Sequence, residues 1–396
     1  MTQHQQFEAR VRERMARTGG SYTAARRHLV GDEPPSDLVH PGLLPGYAPA
    51  RTVSQHDAAL WSRVLGQAGA LNPVTVAPFG EAMLAGLGGG IGFMVFTFEY
   101  RDVTTATVVT RFHPGPYREN LLARSGAEVR TLTTTSRGRA RTALDTALEA
   151  GRPVVVRGDR ALFAGEEPDE YGESADVVVA GRHPDGAFLV DTGTGLHEVE
   201  EERLAEARAA RAADKHWQAH VEDPGSLDAP TLAAHVRTAV RETAEALLST
   251  GGPAGVPAHF GKNFGVRGMR TWAERLRDTR TRKGWPALFD DDERRARALA
   301  QLQRFLGGDE WSGPGALRPL YARFLREAAA APGLAALGEL AGRYDALGRD
   351  WDALADVVDP DCGHEQRVAV FARMAGLLDG LADAEEAAAT ALLRSA

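Results

Sequence analysis

The sequence predicts an α+β protein, with a mixed N-terminal domain followed by a helical C-terminal domain. Between residue 54 and about residue 200 the hydrophobic pattern changes several times between a helical and a strand period, which is typical of a mixed domain. After Leu204 the content of alanine, leucine and arginine rises and strand patterns vanish. At 396 residues, the chain is also long enough for two or three domains.

Composition excludes several classes of protein. A formal charge of −8 argues against nucleic acid as the main partner, because phosphate binding needs a concentrated basic face. The only cysteine is Cys362, so we expect no intramolecular disulfide and no thiolate metal cluster. No apolar run is long enough for a membrane span, and the N-terminus lacks the apolar core of a secretory signal. We therefore expect a cytoplasmic protein.

The chain before the mixed domain is predicted to be an arm and a linker. Two short amphipathic helices, separated by a Gly-Gly pair, are expected between residues 7 and 30. The next stretch, 31–49, contains five prolines in nineteen residues. We assign residues 1–35 to an N-terminal helical arm and residues 36–53 to a proline-rich linker.

The mixed domain is assigned to residues 54–202. Its strands are rich in β-branched residues, and the turn HPDG joins the two longest of them into a hairpin. Helices are predicted over 57–70, 117–126 and 136–151, and strands over 104–112, 127–134, 152–158, 175–182, 187–192 and 196–200.

The C-terminal domain is assigned to residues 225–396, with 203–224 as the connection. Glycine-rich breaks separate its helical stretches. Helices are expected near 203–218, 230–250, 267–282, 290–306, 316–331, 333–347 and 364–395.

The first helix of the mixed domain begins at Ser54-Gln-His-Asp57. This pattern fits a capping box, with Ser54 as the N-cap and Asp57 at the third helical position. The helix dipole would then keep Asp57 ionised and lower its basicity. The alternative is an enclosed cleft, where burial and the neighbouring Glu81 would make Asp57 a usable base. In that case a carboxylate could bind or deprotonate an amine without a covalent intermediate.

A glycine-rich stretch follows Glu81. Glu81 begins a short apolar helix, which leads into Gly88-Gly-Gly90 and then an aromatic strand. Phosphate-binding loops run from strand to helix, and this order is reversed. The pattern predicts a turn packed against the first helix, or a turn that also lines a substrate cleft. The aromatic residues are expected to wall a pocket or to lie in the core: Trp61, Phe93, Phe96, Phe98 and Tyr100.

The succession of His56-Asp57, Glu81 and the segment from Gly88 to Phe93 resembles the N-terminal domain of the butirosin biosynthesis protein H family. The later VVVAGRHPDGAFLVDT resembles the strand pair that completes the core of that domain. GVRGMRTWAERL and GPGALRPLYARFLREAA resemble the helical domain that accompanies it. The resemblance covers roughly residues 54 to 345.

This resemblance implies a papain-like fold that moves an acyl group from a carrier protein, through a cysteine thioester, to an amine. Where the family has its catalytic cysteine, histidine and acid, this chain has Asp57, Ala175 (or Asp176 with a shift of one residue) and Asp191. The thiol and the histidine are therefore absent. Since thiol catalysis needs a thiolate and a base beside it, ordinary thiol chemistry is not expected. Two other histidines, His183 in the HPDG turn and His197 after the second strand, are weak candidates for the missing catalytic base.

Three functions remain open. The first is non-covalent acid–base chemistry on a carrier-bound aminoacyl group, such as cyclisation to a nitrogen heterocycle; the second is direct acyl transfer to an amine; the third is a non-catalytic carrier-binding or activating subunit. Expected partners are a carrier protein with its phosphopantetheine arm and a second biosynthetic subunit, with no cofactor or metal. Catalytic roles are assigned to Asp57, Glu81 and Asp191, and substrate binding to His56, Trp61, Gly89, Gly90 and Phe93.

Overall fold

A computed structural model describes residues 40–49, 53–101, 103–166, 174–307 and 313–396 of the chain. The predicted N-terminal arm, residues 1–35, lies outside the described residues. Within them the α+β class predicted from the sequence is confirmed, with an N-terminal region built on a sheet and a helical C-terminal region.

Strands and helices alternate in the first half of the chain, and helices dominate the second. The strands are β1 Leu71–Asn72, β2 Ala77–Pro78, β3 Ile91–Phe96, β4 Thr107–Arg111, β5 Glu128–Leu132, β6 Val154–Asp159, β7 Ser174–Arg182, β8 Phe188–Asp191, β9 Leu196–Val199 and β10 Gln218–Asp223. The α-helices are α1 His56–Ala68, α2 Glu81–Leu87, α3 Tyr117–Ser125, α4 Arg137–Glu149, α5 Arg160–Phe163, α6 Glu201–Ala209, α7 Ala229–Leu248, α8 Gly265–Arg277, α9 Trp285–Leu288, α10 Asp292–Gly307, α11 Arg318–Ala328, α12 Ala335–Val357 and α13 Arg367–Ser395.

The described chain divides into two compact units. The first contains residues 40–84 and 122–227, and the second contains 85–121 and 228–396. The chain passes from one unit to the other within α2. Because each unit is built from separate stretches of chain, the units do not coincide with the predicted ranges 54–202 and 225–396.

The first unit is built on a six-stranded antiparallel sheet with the order β5-β10-β6-β7-β8-β9. The predicted hairpin is confirmed, since β7 and β8 pair on either side of the turn at 183–186. A bulge between Val179 and Gly181 shifts the register of this pair. Tight pairing in the middle of the sheet places side chains of neighbouring strands directly opposite each other.

Alternation along the strands gives the sheet two packed faces. Side chains one residue apart point to opposite faces, so Val154 and Val156 face one side while Val155 and Arg157 face the other. On the first side the strands pack against α4, α5 and α6 in a core of Leu144, Ala147, Val154, Val156, Leu162, Phe163, Val177, Val179, Phe188, Val190, Val199, Leu204 and Ala207. On the other side α1 contacts β7 and β10. The residues of interest lie on this second side.

The structure corrects two predicted elements. The helix expected near 333–347 continues to Val357 as α12. A helix was expected over 203–218, but α6 ends at Ala209 and β10 follows at Gln218–Asp223. The strand pairs with β5 on one side and β6 on the other, so it lies inside the sheet. Its sequence QAHVED has a weak strand propensity of its own, and pairing to two neighbours overrides that local preference.

The described part of the predicted linker packs onto the sheet. The Leu44 amide donates to the Ala180 carbonyl at 2.9 Å, and the Arg182 amide donates to the Gly42 carbonyl at 3.1 Å. Leu43 also forms an isolated bridge with Gly181, which lies at the bulge in β7. Gly42 has φ 86°, and a Cβ there would lie 1.8 Å from the Arg182 carbonyl oxygen. Glycine is therefore required at this contact.

The second unit is mainly helical and includes the antiparallel pair β3–β4. Its core contains a stacked aromatic group in which Phe93 lies 6.1 Å from Trp272 and 5.9 Å from Trp351, measured between ring centroids. Arg318 and Glu385 form a fully buried ion pair at 2.6 Å. Among the described helices, none is both long and apolar enough to cross a membrane.

Candidate functional site

The N-terminus of α1 carries the residues that the sequence singled out. Helix α1 begins at His56, and its N-cap is Gln55, whose side chain accepts a hydrogen bond from the Ala58 amide at 2.6 Å. The predicted capping box with Ser54 as N-cap is therefore wrong by one residue. Asp57 is the second residue of the helix and is partly exposed. The positive end of the helix dipole favours a carboxylate in this first turn.

Glu81 lies beside the same end of α1. Its Oε1 accepts hydrogen bonds from the Ser54 amide at 2.7 Å and the Gln55 amide at 2.6 Å. The first residue of α2 thus fixes the backbone immediately before α1. Glu81 thus binds the backbone two residues before Asp57 and fixes the start of the helix.

His56 is a buried, neutral side chain. Its Nε2 lies 2.7 Å from the Asp176 carbonyl oxygen, which can only accept, so Nε2 carries the proton. Burial lowers the pKa of His56, and the Arg160 guanidinium lowers it further, although Asp57 and Asp176 act in the opposite direction. An uncharged imidazole beside Asp57 therefore joins α1 to strand β7.

A row of three side chains crosses the sheet beside His56. Arg157 on β6 and Asp176 on β7 are directly paired in the strand register. Arg157 Nε and Nη2 donate to the two Asp176 carboxylate oxygens at 2.6 and 3.0 Å. Trp217, which precedes β10, lies 4.7 Å from the Arg157 guanidinium, measured to the ring centroid. The ion pair and the stacked ring hold this guanidinium in one orientation.

Further carboxylates surround this row. Asp214 Oδ2 accepts a hydrogen bond from Ser174 Oγ at 2.5 Å. Burial opposes the charge of Arg157, but hydrogen bonding to Asp176 and the carboxylates of Asp176, Asp214 and Asp57 raise the pKa of its guanidinium. We use the term α1 site for the group that these contacts and charges connect: His56, Asp57, Arg157, Asp176, Asp214 and Trp217.

Asp191 is fully buried and surrounded by donors. Its Oδ2 accepts from Arg63 Nη1 and from the Tyr47 hydroxyl, both at 2.8 Å, and its Oδ1 accepts from the Gly193 amide at 2.8 Å. Burial, followed by the Asp191 charge, raises the pKa of Tyr47 well above its ordinary value. These contacts tie α1 and the segment around Tyr47 to the end of β8.

Asp191 also supports His56 indirectly. The Gly193 amide that it holds belongs to a turn with φ 87°, and a Cβ on Gly193 would lie 2.6 Å from His56 Nδ1. The turn thus passes directly against the imidazole. Asp191, at the end of β8, therefore positions a turn that lies two residues further along the chain.

The predicted substrate-binding residues lie in different parts of the fold. His56 belongs to the α1 site, whereas Trp61 is only 1% exposed in the core of the first unit. Gly89, Gly90 and Phe93 belong to the second unit. A Cβ on Gly90 would lie 2.4 Å from the Tyr321 ring, and one on Gly89 would lie 2.5 Å from Phe112. The glycine-rich turn thus packs tightly against aromatic side chains of its own unit.

Sequence reasoning did not identify Arg157, Trp217 or Asp214. Arg157 stood in a predicted strand, where a single charged residue among valines is a visible signal. The pairing partner on the next strand, Asp176, could have been found by aligning the two strands. Trp217 and Asp214 lie where a helix was expected, so the error over β10 concealed them.

The candidate metal ligands and the cavity described next lie outside the α1 site. Among the described residues, His183, Asp185 and Glu198 place their ligand atoms within 4.8 Å of one another at the exposed hairpin. A separate cavity of about 470 Å³ in the first unit is lined by Phe163, His197, Glu198, Arg203 and others. It includes none of the α1 site residues.

Two family models match separate parts of the chain. Residues 62–192 match the family model of butirosin biosynthesis protein H, N-terminal, and residues 202–392 match that of a domain of unknown function, DUF4872. The first match covers the part of the first unit that contains Arg157, Asp176 and Asp191. No curated protein matches the sequence. Residues 62–192 are therefore similar to the N-terminal domain of the butirosin biosynthesis protein H family.

Proposed function

We propose that this protein acts in natural-product biosynthesis of the butirosin type, on an aminoacyl group delivered by a carrier protein, and that it closes a nitrogen heterocycle by non-covalent acid–base chemistry. The family match supports a role in such biosynthesis. The observation that carries the chemistry is the Asp57 carboxylate, held in the first turn of α1. The resemblance implies that the family's thiol occupies this position.

The charge of the α1 site suits a protonated amine. Asp57, Asp176 and Asp214 share the site with Arg157, while Arg160 acts on His56 and Arg211 lies 3.9 Å from Asp214. Asp57 is the carboxylate that can attract a substrate ammonium, and the neutral His56 beside it adds no opposing charge. Asp57 lies in the first turn of the helix and is partly exposed, so its carboxylate can orient the amine.

The proposed reaction has a simple balance of atoms. Asp57 accepts a proton from the ammonium, and the freed nitrogen lone pair forms a bond to an electrophilic carbon of the same cargo. The bond from that carbon to its leaving group breaks, and the leaving group keeps the electron pair and takes up the proton from Asp57, which restores the carboxylate. The acyl bond to the carrier stays intact. Positioning of the two reacting groups can lower such a barrier by about 7–11 kcal/mol.

The only thiol of the sequence does not offer a covalent route. Cys362 lies in the second unit and is 4% exposed. Burial raises the pKa of its thiol, which disfavours the reactive thiolate. This supports a reaction without a cysteine thioester.

A second candidate is a non-catalytic subunit that binds the carrier protein or activates a partner. It is favoured by the engagement of two of the three predicted acids, since Glu81 holds backbone amides and Asp191 lies in a buried hydrogen-bonded group. Under this candidate, Asp57 would have a structural role at the helix terminus.

Replacement of Asp57 separates the candidates. Asp57→Asn keeps the shape of the side chain and removes its charge, so we expect the rate of cargo conversion on an aminoacyl-loaded carrier protein to fall by about 100-fold or more. Asp57→Glu retains a base at a shifted position and should be affected less. Asp185→Asn, on the exposed hairpin, is the matched control.

Each outcome has a clear meaning. Normal turnover by Asp57→Asn would rule out the proposed mechanism. If the unmodified protein and Asp57→Asn both bind the carrier protein and neither converts its cargo, the non-catalytic subunit is favoured. An emptied carrier would instead indicate direct transfer of the acyl group to an amine.

A further inference from the structure

The guanidinium of Arg157 is held on two sides and offers a third. Its Nε and Nη2 are occupied by Asp176 at 2.6 and 3.0 Å, and the Trp217 ring lies 4.7 Å away. The side chain is 25% exposed. Among the described residues, none accepts a hydrogen bond from Nη1. The two N–H groups of Nη1 are therefore left without an acceptor in the described part of the chain.

The turn that delivers Trp217 is strained, which favours a functional role. Lys215 and His216 have φ values of 46° and 44°, in the left-handed region that residues other than glycine rarely adopt. Such strain persists only where surrounding contacts impose it, and it clusters at functional sites. The turn is held here by Arg208, whose Nη2 donates to the His216 carbonyl at 3.0 Å.

The backbone also aligns Trp217 with Arg157. The Arg157 amide donates to the Trp217 carbonyl at 3.3 Å, and the Trp217 amide donates to the Asp214 carbonyl at 2.9 Å. The ring and the guanidinium are thereby brought face to face. Trp217 and Asp176 act as positioning residues for Arg157.

The charges around Nη1 define the group that it can bind. The pair of Arg157 and Asp176 has no net charge, and the nearby carboxylates of Asp57 and Asp214 are offset in part by Arg160 and Arg211. An anion would gain no net attraction in this balanced group and would lose its hydration, whereas a neutral oxygen acceptor costs less to desolvate. A carbonyl oxygen therefore fits Nη1 better than a carboxylate, phosphate or sulfate does.

We infer that Arg157 donates a hydrogen bond from Nη1 to the acyl carbonyl oxygen of the substrate while Asp57 binds its ammonium group. The inference rests on the proposed function and names its substrate class: an aminoacyl thioester recognised at both ends of the aminoacyl group. A cargo that lacks either the amine or the carbonyl loses one of the two contacts.

Small probes test the two contacts separately. We would measure by calorimetry the binding to the full chain of glycyl-pantetheine thioester, of acetyl-pantetheine, which lacks the amine, and of S-(2-aminoethyl)pantetheine, which lacks the carbonyl. The unmodified protein should bind the glycyl thioester about 10-fold or more tightly than either other probe, the size expected for a hydrogen bond to a charged group.

Variants assign each contact to its residue. Arg157→Lys keeps a cation for Asp176 but lacks the guanidinium fork, so it should weaken the glycyl thioester about 10-fold and leave the carbonyl-free probe unchanged. Asp57→Asn should weaken both amine-bearing probes and leave acetyl-pantetheine unchanged. Trp217→Leu should give a smaller loss confined to the carbonyl-bearing probes, and Trp217→Phe should restore it. Arg152→Lys, in an exposed pair with Glu222, is the control.

The results distinguish this inference from the proposed function. Loss of the carbonyl preference in Arg157→Lys, with no effect of Asp57→Asn, would support the Arg157 contact and contradict the role of Asp57. Equal weakening of all probes by Arg157→Lys would contradict the contact. If a variant folds poorly, binding to the unmodified protein still tests the inference. Equal affinity for the glycyl thioester and the carbonyl-free probe overturns it, and so does the absence of thioester binding.

Discussion

At the scale of single residues, the three predicted acids differ in what surrounds them. Asp57 is partly exposed at a helix terminus, Glu81 holds two backbone amides, and Asp191 is fully buried with donors on both oxygens. The sequence does not distinguish these three surroundings, because each residue is a carboxylate at a position that the family resemblance singles out. The partners that distinguish them, such as Arg63 and Tyr47, come from distant parts of the chain.

Replacing Asp191 tests its structural contribution. In Asp191→Asn the Arg63 guanidinium, whose side chain is only 6% exposed, would lose its counter-charge inside the protein. Breaking a buried ion pair in this way costs about 3–5 kcal/mol. We expect the free energy of unfolding in urea to fall by that amount, against a change within about 0.5 kcal/mol for the exposed Asp185→Asn. Equal stability of the two variants would contradict the structural role.

At the scale of elements, periodicity predicted most of the fold. The strands around the HPDG turn and the long C-terminal helices follow the expected pattern, because their apolar residues repeat with a clear period. The exceptions are elements that depend on tertiary contacts, of which β10 is the main one. The pair of Arg157 and Asp176 follows from aligning two strands, but the addition of Trp217 could not be predicted because it requires the order of three strands.

The strained turn before β10 yields a stability prediction. Lys215 is exposed and has φ 46°, a conformation that asparagine adopts more readily than lysine. Lys215→Asn should therefore raise the free energy of unfolding by about 0.5–1 kcal/mol, a part of the roughly 1–3 kcal/mol that left-handed strain costs. Lys262→Asn, at a position outside the left-handed region, should give no gain. A loss of stability in Lys215→Asn would show that the turn is not strained.

The glycine-rich turn of the second unit gives a matched pair of alanine substitutions. Gly90 has φ 65°, and its Cβ would lie 2.4 Å from Tyr321, whereas Gly376 lies inside α13 with nothing within 4 Å of its Cβ. We expect Gly90→Ala to destabilise by about 1–3 kcal/mol and Gly376→Ala to stabilise by about 0.5–1 kcal/mol in urea unfolding. Stability changes of the same sign would contradict this packing.

At the scale of the whole molecule, histidines make stability depend on pH. Desolvation lowers the pKa values of the buried His56 and of the partly buried His197, His216 and His220 below the ordinary 6.5. The unfolded chain therefore takes up protons at a higher pH than the folded chain does. Stability from these groups is present above about pH 6.5 and is lost as the pH falls from there through their folded values.

Urea unfolding at pH 7.5 and pH 5.5 measures this effect. We expect a lower free energy of unfolding at pH 5.5, with a slope of at most about 1.4 kcal/mol per pH unit for each proton involved. His56→Gln, which keeps a donor for the Asp176 carbonyl but does not titrate, should reduce the slope. A stability that is constant or higher at pH 5.5 would contradict the burial of these neutral imidazoles.

The central claim is that the protein changes a carrier-bound aminoacyl group without forming a covalent intermediate. Intact-protein mass spectrometry of this protein mixed with an aminoacyl-loaded carrier protein tests it most directly, because both masses are read from one sample. We predict that the cargo mass falls by the mass of its leaving group and a proton, that the cargo stays on the carrier, and that this protein keeps its own mass. An acyl adduct on this protein, or a carrier that has lost its cargo, would contradict the account.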